Sequence, residues 1–362
     1  MRVLVGDDQP DVLEAARLLL KAGGHIAVTA GTPEAVLRQA REQHFDVLLV
    51  DMNYARDTNS GDEGLDLLTG LRASGIDAPV VVMTGWGSVD LAVLAMRRGA
   101  TDFVQKPWDN ARLLDTIYQH GTEAKRARTD LEIARSVQRK LFGRAVREIP
   151  GLDYAGHCVP IGDVGGDSYD FLDVGADDLG IALADVSGKG IAAALLMAHL
   201  QAALRSRSDL AGRPSELCHC LNGIFWESSP PEQYATLFYG VYRSRTRTLD
   251  YVNAGHATPM VFHRDGSFEP LESTEVPVGL FSAWRGMAQR INLAEGDRLV
   301  LVSDGVVEAG LGNGREFGQE GLIQSCRATH GAAAEIAAHR LIADATRYVP
   351  DDDMTAVVLN VL

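Results

Sequence analysis

The first 120 or so residues alternate short apolar runs with segments whose apolar positions recur at helical spacing. "RVLVGDD" reads as a strand and "VLEAARLLLKAGG" as a helix closed by glycine; "HIAVTA", "FDVLLVD", "APVVVMTG" and "DFVQKP" continue the strands. Between them "TPEAVLRQAREQ", "GLDLLTGLRASG" and "SVDLAVLAMRRGA" carry the helical period. In the first of these, Thr32 is placed to cap and Pro33 to open the helix. Strands that are apolar throughout and separated by helices predict a doubly wound α/β domain. Its five-stranded parallel sheet would be covered on both faces. Such sheets collect their functional groups at the carboxyl ends of the strands.

A single helical pattern follows, from about 109 to 142. Ile117, Ala124, Ala127, Leu131, Ala134, Gln138 and Leu141 keep close to a heptad spacing along it. The seam is narrow and has small or polar members, and Gly121 interrupts the pattern. It fits either a short coiled coil, and so a homodimer through the linker helix, or a single helix lying on one of the domains. From about 150 the pattern changes. "GIALADV", "ATLFYGVYR", "RTLDYVNAG", "PMVFH", "DRLVLVSDG" and "MTAVVLNVL" read as strands around two helical blocks, "GIAAALLMAHLQAALRS" and "EIAAHRLIADATR". Strands joined by turns predict an α+β domain, an antiparallel β-sandwich flanked by helices. The expected organisation is a first domain over 1–120, a helical linker over 121–149 and a second domain over 150–362.

Composition narrows the function classes. The chain has 362 residues, 46% hydrophobic and 23% charged, with a formal net charge of −15. That is an ordinary globular composition. Its acidity argues against nucleic acid as a partner, because binding that polyanion rests on Lys and Arg. No apolar run approaches the ~18 residues of a membrane span. The opening "MRVLVGDDQP" meets two acids where a signal peptide would stay apolar, so a cytoplasmic protein is expected. Four cysteines in a chain of this length do not make a disulfide framework. "CHC", Cys218 to Cys220, has no second Cys or His pair at ligand spacing, which leaves ordinary helical packing as the expectation.

Candidate chemistry gathers first at the strand ends of the N-terminal half. Asp7 and Asp8 end the first strand, Asp51 the third and Thr84 the fourth; Lys106 ends the fifth. Three carboxylates brought together repel unless a cation joins them, and hard oxygen ligands suit Mg²⁺. With Mg²⁺ and Lys106 neutralising a phosphoryl group, one carboxylate is left to act as nucleophile. "DD", "LLVDMN", "VVMTG" and "FVQKP" occur in order, and over residues 1–120 the chain resembles the receiver domain of two-component response regulators, a flavodoxin-like fold. The resemblance implies Asp51 as phosphoacceptor. It implies Asp7, Asp8, Asp51 and the carbonyl of Asn53 as Mg²⁺ ligands, Thr84 and Lys106 as phosphate readers and Phe103 as the switch aromatic. The loop after Asp51, "MNYARDTNSGDEG", is longer than the usual receiver loop and resembles the variant found in transcriptional activators.

Acids recur in the C-terminal half beside glycines. Asp167 lies in "DVGGDSYDF", Asp185 in "ADVSGKG", Asp304 in "LVLVSDG" and Asp352 in "DDDMTAVV". "ADVSGKG" ends like a phosphate loop, but Leu183 stands where the first glycine is needed and Gly190 where Ser or Thr is needed. Four converging carboxylates call instead for a pair of divalent cations, which lower the pKa of a bridging water and orient a phosphate. All-oxygen donors suit Mg²⁺ or Mn²⁺. Together with "YVNAGHATPM", "VPVGL" and "LAEGDRLVLVSDGVVEA", these motifs resemble the PPM (PP2C-like) serine/threonine phosphatases of the bacterial sporulation and stress-response branch. The resemblance implies that Asp185 bridges both ions and that the Val186 carbonyl, Asp167, Asp304 and Asp352 complete their shells. Asp353 is a competing choice for the last role. Ser187 stands where many such enzymes carry a catalytic His. His256 in "NAGH" is either its substitute or a structural turn residue, with Asn253 and Gly255 shaping that turn. Asp170 fits an extra ligand or a hydrogen-bonding acid, and Arg205 or Arg285 could bind phosphate.

The expected function is a response regulator. A sensor histidine kinase or phosphotransfer protein would phosphorylate Asp51, and the output domain would hydrolyse phosphoserine or phosphothreonine on a protein. By resemblance that substrate is an anti-anti-sigma-type antagonist. The rival readings are a non-catalytic adaptor for a sigma-factor pathway and, behind it, a DNA-binding regulator. The presence of all four acids favours the enzyme, and no helix-turn-helix pattern supports the last.

Overall fold

The computed structural model describes the chain apart from residues 55–60, 86–88, 144–146 and 176. Residues 55–60 of the long loop after Asp51 therefore lie outside the described residues. The chain divides into two units, Met1–Asp130 and Leu131–Leu362.

The first unit alternates β1 (Arg2–Gly6), α1 (Pro10–Ala22), β2 (Ile26–Ala30), α2 (Pro33–Glu42), β3 (Val47–Asp51), α3 (Asp62–Ala73), β4 (Val80–Thr84), α4 (Val89–Arg97) and β5 (Asp102–Gln105). A 32-residue helix, α5 (Asn110–Leu141), follows and continues into the second unit. The strands form a parallel sheet in the order β2-β1-β3-β4-β5. Alternation sorts each strand between two cores: Leu4, Leu48, Val50 and Val82 face one side, Val3, Val5, Leu49 and Val81 the other. As expected, Thr32 caps α2, its Oγ1 accepting from the Ala35 N–H at 3.2 Å, a contact worth about 1 kcal/mol. The strand order reverses between β1 and β3, which opens a crevice at their carboxyl ends.

The second unit continues with β6 (Leu152–Val159), β7 (Asp167–Gly175), β8 (Asp178–Val186), α6 (Ile191–Ser206), α7 (Pro214–Ser228), β9 (Ala235–Arg243), β10 (Thr248–Ala254), β11 (Met260–Phe262) and β12 (Phe268–Pro270). It closes with β13 (Gln289–Asn292), β14 (Arg298–Val302), α8 (Asp304–Val307), α9 (Gly318–Ala328), α10 (Ala334–Ala345) and β15 (Met354–Val361). Two antiparallel sheets result, β13-β10-β9-β8-β7 and β12-β11-β14-β15-β6. In β8, Leu179, Ile181 and Leu183 point between the sheets, where they meet Leu299, Leu301, Val357 and Leu359. Ala182, Ala184 and Val186 point the other way, and their small volume lets α6 and α7 lie close through Met197, Leu200, Leu217 and Phe225. On the opposite sheet, Ala356 and Val358 pack beneath α9 and α10. Truncating a fully buried Leu such as Leu183 to Ala is expected to cost about 2–5 kcal/mol.

Helices α7 and α9 and strands β6 and β7 were not among the elements expected from the sequence. Cys218 is buried inside α7, in keeping with helical packing rather than metal binding. The heptad positions of α5 do not share one environment. Ile117 is buried in the core of the first unit and Gln138 is buried within the second, whereas Ala127 and Ala134 are exposed.

Candidate functional site

In the first unit the loops after β1 and β5 and the end of β3 bring their charged residues together. Single ligand atoms of Asp7, Asp8 and Asp51 all lie within 4.8 Å of one another. Lys106 Nζ reaches Asp7 Oδ2 at 2.6 Å and Asp51 Oδ2 at 2.9 Å. The Gln9 N–H donates to Asp7 Oδ1 and the Met52 N–H to Asp51 Oδ1, each at 2.9 Å. Burial pushes the Asp51 carboxyl up, and Lys106 pulls against that shift. Thr84 is buried at the end of β4, whereas Phe103 on β5 is exposed. Asn53 follows two residues after Asp51, with its Oδ1 buried and lacking a hydrogen-bond partner.

In the second unit, β7 and β8 pair so that Asp167 lies directly opposite Asp185. Residues opposite each other in an antiparallel pair share a face, with Cβ atoms about 5 Å apart. Asp167 is buried and accepts a 2.6 Å hydrogen bond from Thr355 Oγ1. Burial first, and then the Asp185 charge, drive its carboxyl well above the usual range. Asp185 is pushed up to about 7 by burial and by the charges of Asp304 and Asp352. Asp304 opens α8 at the end of β14 and is raised in the same way, by desolvation and Asp352. Asp352 pairs with Lys189 Nζ at 2.9 Å. Gly166 is pressed against this cluster. A Cβ there would stand 2.8 Å from the Val186 carbonyl oxygen and 3.6 Å from Asp185 Oδ1.

Beside Asp185 and Asp304 opens a cavity of about 340 Å³, also lined by Thr236, His256 and Glu308. His256 Nδ1 hydrogen-bonds Thr236 Oγ1 at 2.8 Å, and the His256 N–H donates to Asn253 Oδ1 at 2.9 Å. Gly255, at φ 67°, makes the turn between them. Burial holds the imidazole down to about 4. Ser187 is engaged elsewhere: its Oγ accepts from the Tyr234 N–H and faces Gln233.

The family profile described as Stage II sporulation protein E (SpoIIE) matches residues 175–362, and that of the response regulator receiver domain matches residues 3–118. The chain belongs to the SpoIIE family. Within this SpoIIE-family chain a receiver domain is joined to a PP2C-like phosphatase domain. The phosphoserine phosphatase RsbU of Bacillus subtilis is 30% identical over 238 residues, 64% of this chain and 70% of RsbU. The transcriptional regulatory protein FixJ of Azorhizobium caulinodans is 37% identical over 149 residues, 40% of this chain and 67% of FixJ. The solved PP2C domain of SiaA from Pseudomonas aeruginosa shares the fold at a TM-score of 0.56 and 20% identity, covering 66% of this chain and 98% of that one.

The acids of the receiver form a compact cluster of oxygen donors that fits a divalent cation. In the second unit of this SpoIIE-family protein, burial first and then the charge of neighbouring acids raise the carboxyls of Asp167, Asp185 and Asp304, all of them oxygen donors. Several partners were not evident in the sequence. Thr355 holds Asp167, and Lys189 holds Asp352. Asp353 turns inward and accepts from the N–H groups of Ile161 and Gly166 at 2.8 and 2.7 Å. Arg205, a candidate phosphate binder by sequence, instead clasps buried Asp170 through bonds of 2.6 and 3.0 Å, so Asp170 serves as its ion-pair partner. Among the described residues no helix is long and apolar enough to cross a membrane.

Proposed function

We propose that the chain is a cytoplasmic response regulator whose receiver controls a metal-dependent protein serine/threonine phosphatase. The observation that carries the reading is the pairing of Asp167 with Asp185 across β7 and β8, beside the Val186 carbonyl and a glycine that leaves room for it. Asp185, Asp167, Asp304, Asp352 and the Val186 carbonyl are the groups that would hold two Mn²⁺ or Mg²⁺ ions. Bound there, such a pair supplies an acidified water and neutralises phosphate charge. The protein's own part is to fix these oxygens. Thr355 orients Asp167, and the strand pairing holds Asp185 on the same face. A neutral, buried His256 fits the structural role better than that of a general acid, since it carries no proton to donate as an imidazolium near pH 7.

In the receiver, Asp7, Asp8, Asp51 and the Asn53 carbonyl would hold Mg²⁺. Asp51 would take a phosphoryl group from a sensor histidine kinase or phosphotransfer protein, with Lys106, Thr84 and Phe103 reading it. Likeness to RsbU supports a phosphoserine protein as substrate, and an anti-anti-sigma-type antagonist is the specific class inferred. The test is turnover of a generic phosphate ester with added Mn²⁺, comparing wild type with Asp185→Asn. Metal-dependent turnover that disappears in the variant supports the enzyme. A folded wild type with no turnover in Mn²⁺ or Mg²⁺ points to the adaptor reading instead.

A further inference from the structure

The last turns of α5 meet the phosphatase domain at three levels. Leu131 lines a cavity of about 180 Å³ with Ile161, Lys189, Ile191 and Asp352. Two turns on, Gln138 is buried at 5% exposure. Its Nε2 donates to the Gly165 carbonyl at 2.7 Å, and its Oε1 accepts from the Gly165 N–H at 3.0 Å. At the helix end the Leu141 carbonyl accepts from Gln201 Nε2 at 2.5 Å and Arg205 at 3.2 Å.

The middle contact differs from ordinary packing. One side-chain amide satisfies both backbone groups of a single residue, as a neighbouring strand would. That residue stands two positions before Asp167. Its neighbour Gly166 is held from another direction by Asp353 Oδ2. A Cβ on Gly165 would run into the Asp353 carboxylate, so the Gly-Gly pair is squeezed between Gln138 and Asp353. The segment has no side chains with which to fix itself, and its place is set from outside.

We propose that Gln138 is a positioning residue for the metal-binding end of β7. By gripping Gly165 it fixes Gly166 and Asp167 against Asp185, and so sets the affinity of the phosphatase site for its cations. This rests on the metal-dependent reading of that site. The amide of Gln138 bonds Gly165 rather than any of the proposed ligands, so its effect on them runs through the backbone.

The experiment is Mn²⁺ titration of the full-length protein, with free Mn²⁺ followed by electron paramagnetic resonance. Wild type, Gln138→Ala, Gln138→Glu and Asp185→Asn are compared. Asp185→Asn separates the phosphatase sites from the receiver's. Gln138→Ala is expected to weaken the phosphatase sites at least about tenfold, as loss of a group supporting a ligand commonly does, and to leave the receiver site unchanged. Gln138→Glu keeps the acceptor for the Gly165 N–H and loses the donor, so it should fall between; it also carries the test should the alanine variant fail to fold. A purely structural Gln138 would lower the melting temperature of the metal-free protein while Mn²⁺ affinity stayed at the wild-type value, and that result overturns the proposal. If Asp185→Asn binds as many ions as wild type, the metal reading itself falls and the proposal with it.

Discussion

Asp353 Oδ2 accepts a hydrogen bond from the Gly166 N–H at 2.7 Å, joining the start of β15 to the start of β7. Its Oδ1 takes the Ile161 N–H at 2.8 Å. The preceding acid behaves in the opposite way. Asp352 is half-exposed; its Oδ2 pairs with the long side chain of Lys189, and its Oδ1 accepts only the N–H of its own neighbour Asp353 among the described backbone groups. Two adjacent carboxylates thus divide the work between holding the loop and facing the cleft.

This division predicts opposite phenotypes. Asp353→Ala strands the buried Gly166 N–H and frees the partly buried Ile161 N–H, and should lose about 3 kcal/mol of stability, since a hydrogen bond to a charged acceptor is worth about 1.5–3 kcal/mol. Asp352→Ala removes one solvent-screened ion pair and should stay within about 1 kcal/mol of wild type. Its phosphatase turnover should nonetheless fall at least about tenfold if it is the fourth acid. Urea unfolding and ester hydrolysis on both variants check this. The reverse pattern, a stable Asp353→Ala and an unstable but active Asp352→Ala, would exchange the two roles.

The difference between these neighbours was not legible in "DDDMTAVV". Sequence shows that acids follow one another, but Asp353 owes its role to Gly166 and Ile161, nearly two hundred positions earlier. The same limit explains Gln138, whose heptad spacing was visible while its partner Gly165 was not. The receiver was far more readable, because its central strands β1, β3 and β4 are built on continuous apolar runs and its acids stand at the strand ends. Strand β7 was hidden for a physical reason. Its inward faces include Asp167 and Asp170, buried acids that spoil the apolar alternation.

Metal uptake should be linked to protons. Asp185 is held near 7, against an ordinary carboxyl value of 3.8. A raised carboxyl keeps a proton in the fold that the unfolded chain has already lost. Its contribution to the stability of the metal-free protein is therefore complete at low pH and is lost as pH rises through about 7. Cations need the carboxylate, so their stabilising effect should run the other way. It should reach about 2.7 kcal/mol at hundredfold excess over Kd near neutrality and shrink as the pH falls. Melting temperatures with Mn²⁺ and with EDTA, at about pH 5.5 and about pH 7.5, measure it. An equal Mn²⁺ effect at both would remove the link.

Lys106 stands between two buried acids of the receiver. Lys106→Ala leaves Asp7 and Asp51 facing each other without a cation, and should cost about 3 kcal/mol in the absence of Mg²⁺. Mg²⁺ should then bind more tightly than in wild type, because no ammonium competes for the same oxygens, and should restore part of the stability. Thermal melts of both proteins across a Mg²⁺ titration read the gap. It should narrow as Mg²⁺ rises, and a constant gap would mean that the lysine and the ion use separate oxygens.

His256 offers a test of whether the imidazole supports the fold or the chemistry. Burial lowers it from an ordinary 6.5 to about 4. Between those values the unfolded chain holds a proton that the folded protein excludes. The stability this gives is complete above about pH 6.5 and is lost as the pH falls toward 4, a swing of about 3 kcal/mol. His256→Gln, which has no such titration, should flatten that part of the wild-type stability curve while keeping a polar group facing Thr236. Near pH 7 both proteins have an uncharged side chain here. If His256 shapes the "NAGH" turn, turnover at neutral pH should stay within about tenfold of wild type, below the 10²–10⁴-fold that a proton-transferring group contributes. A larger loss in a variant of unchanged stability would instead make His256 a catalytic residue, acting as a neutral imidazole.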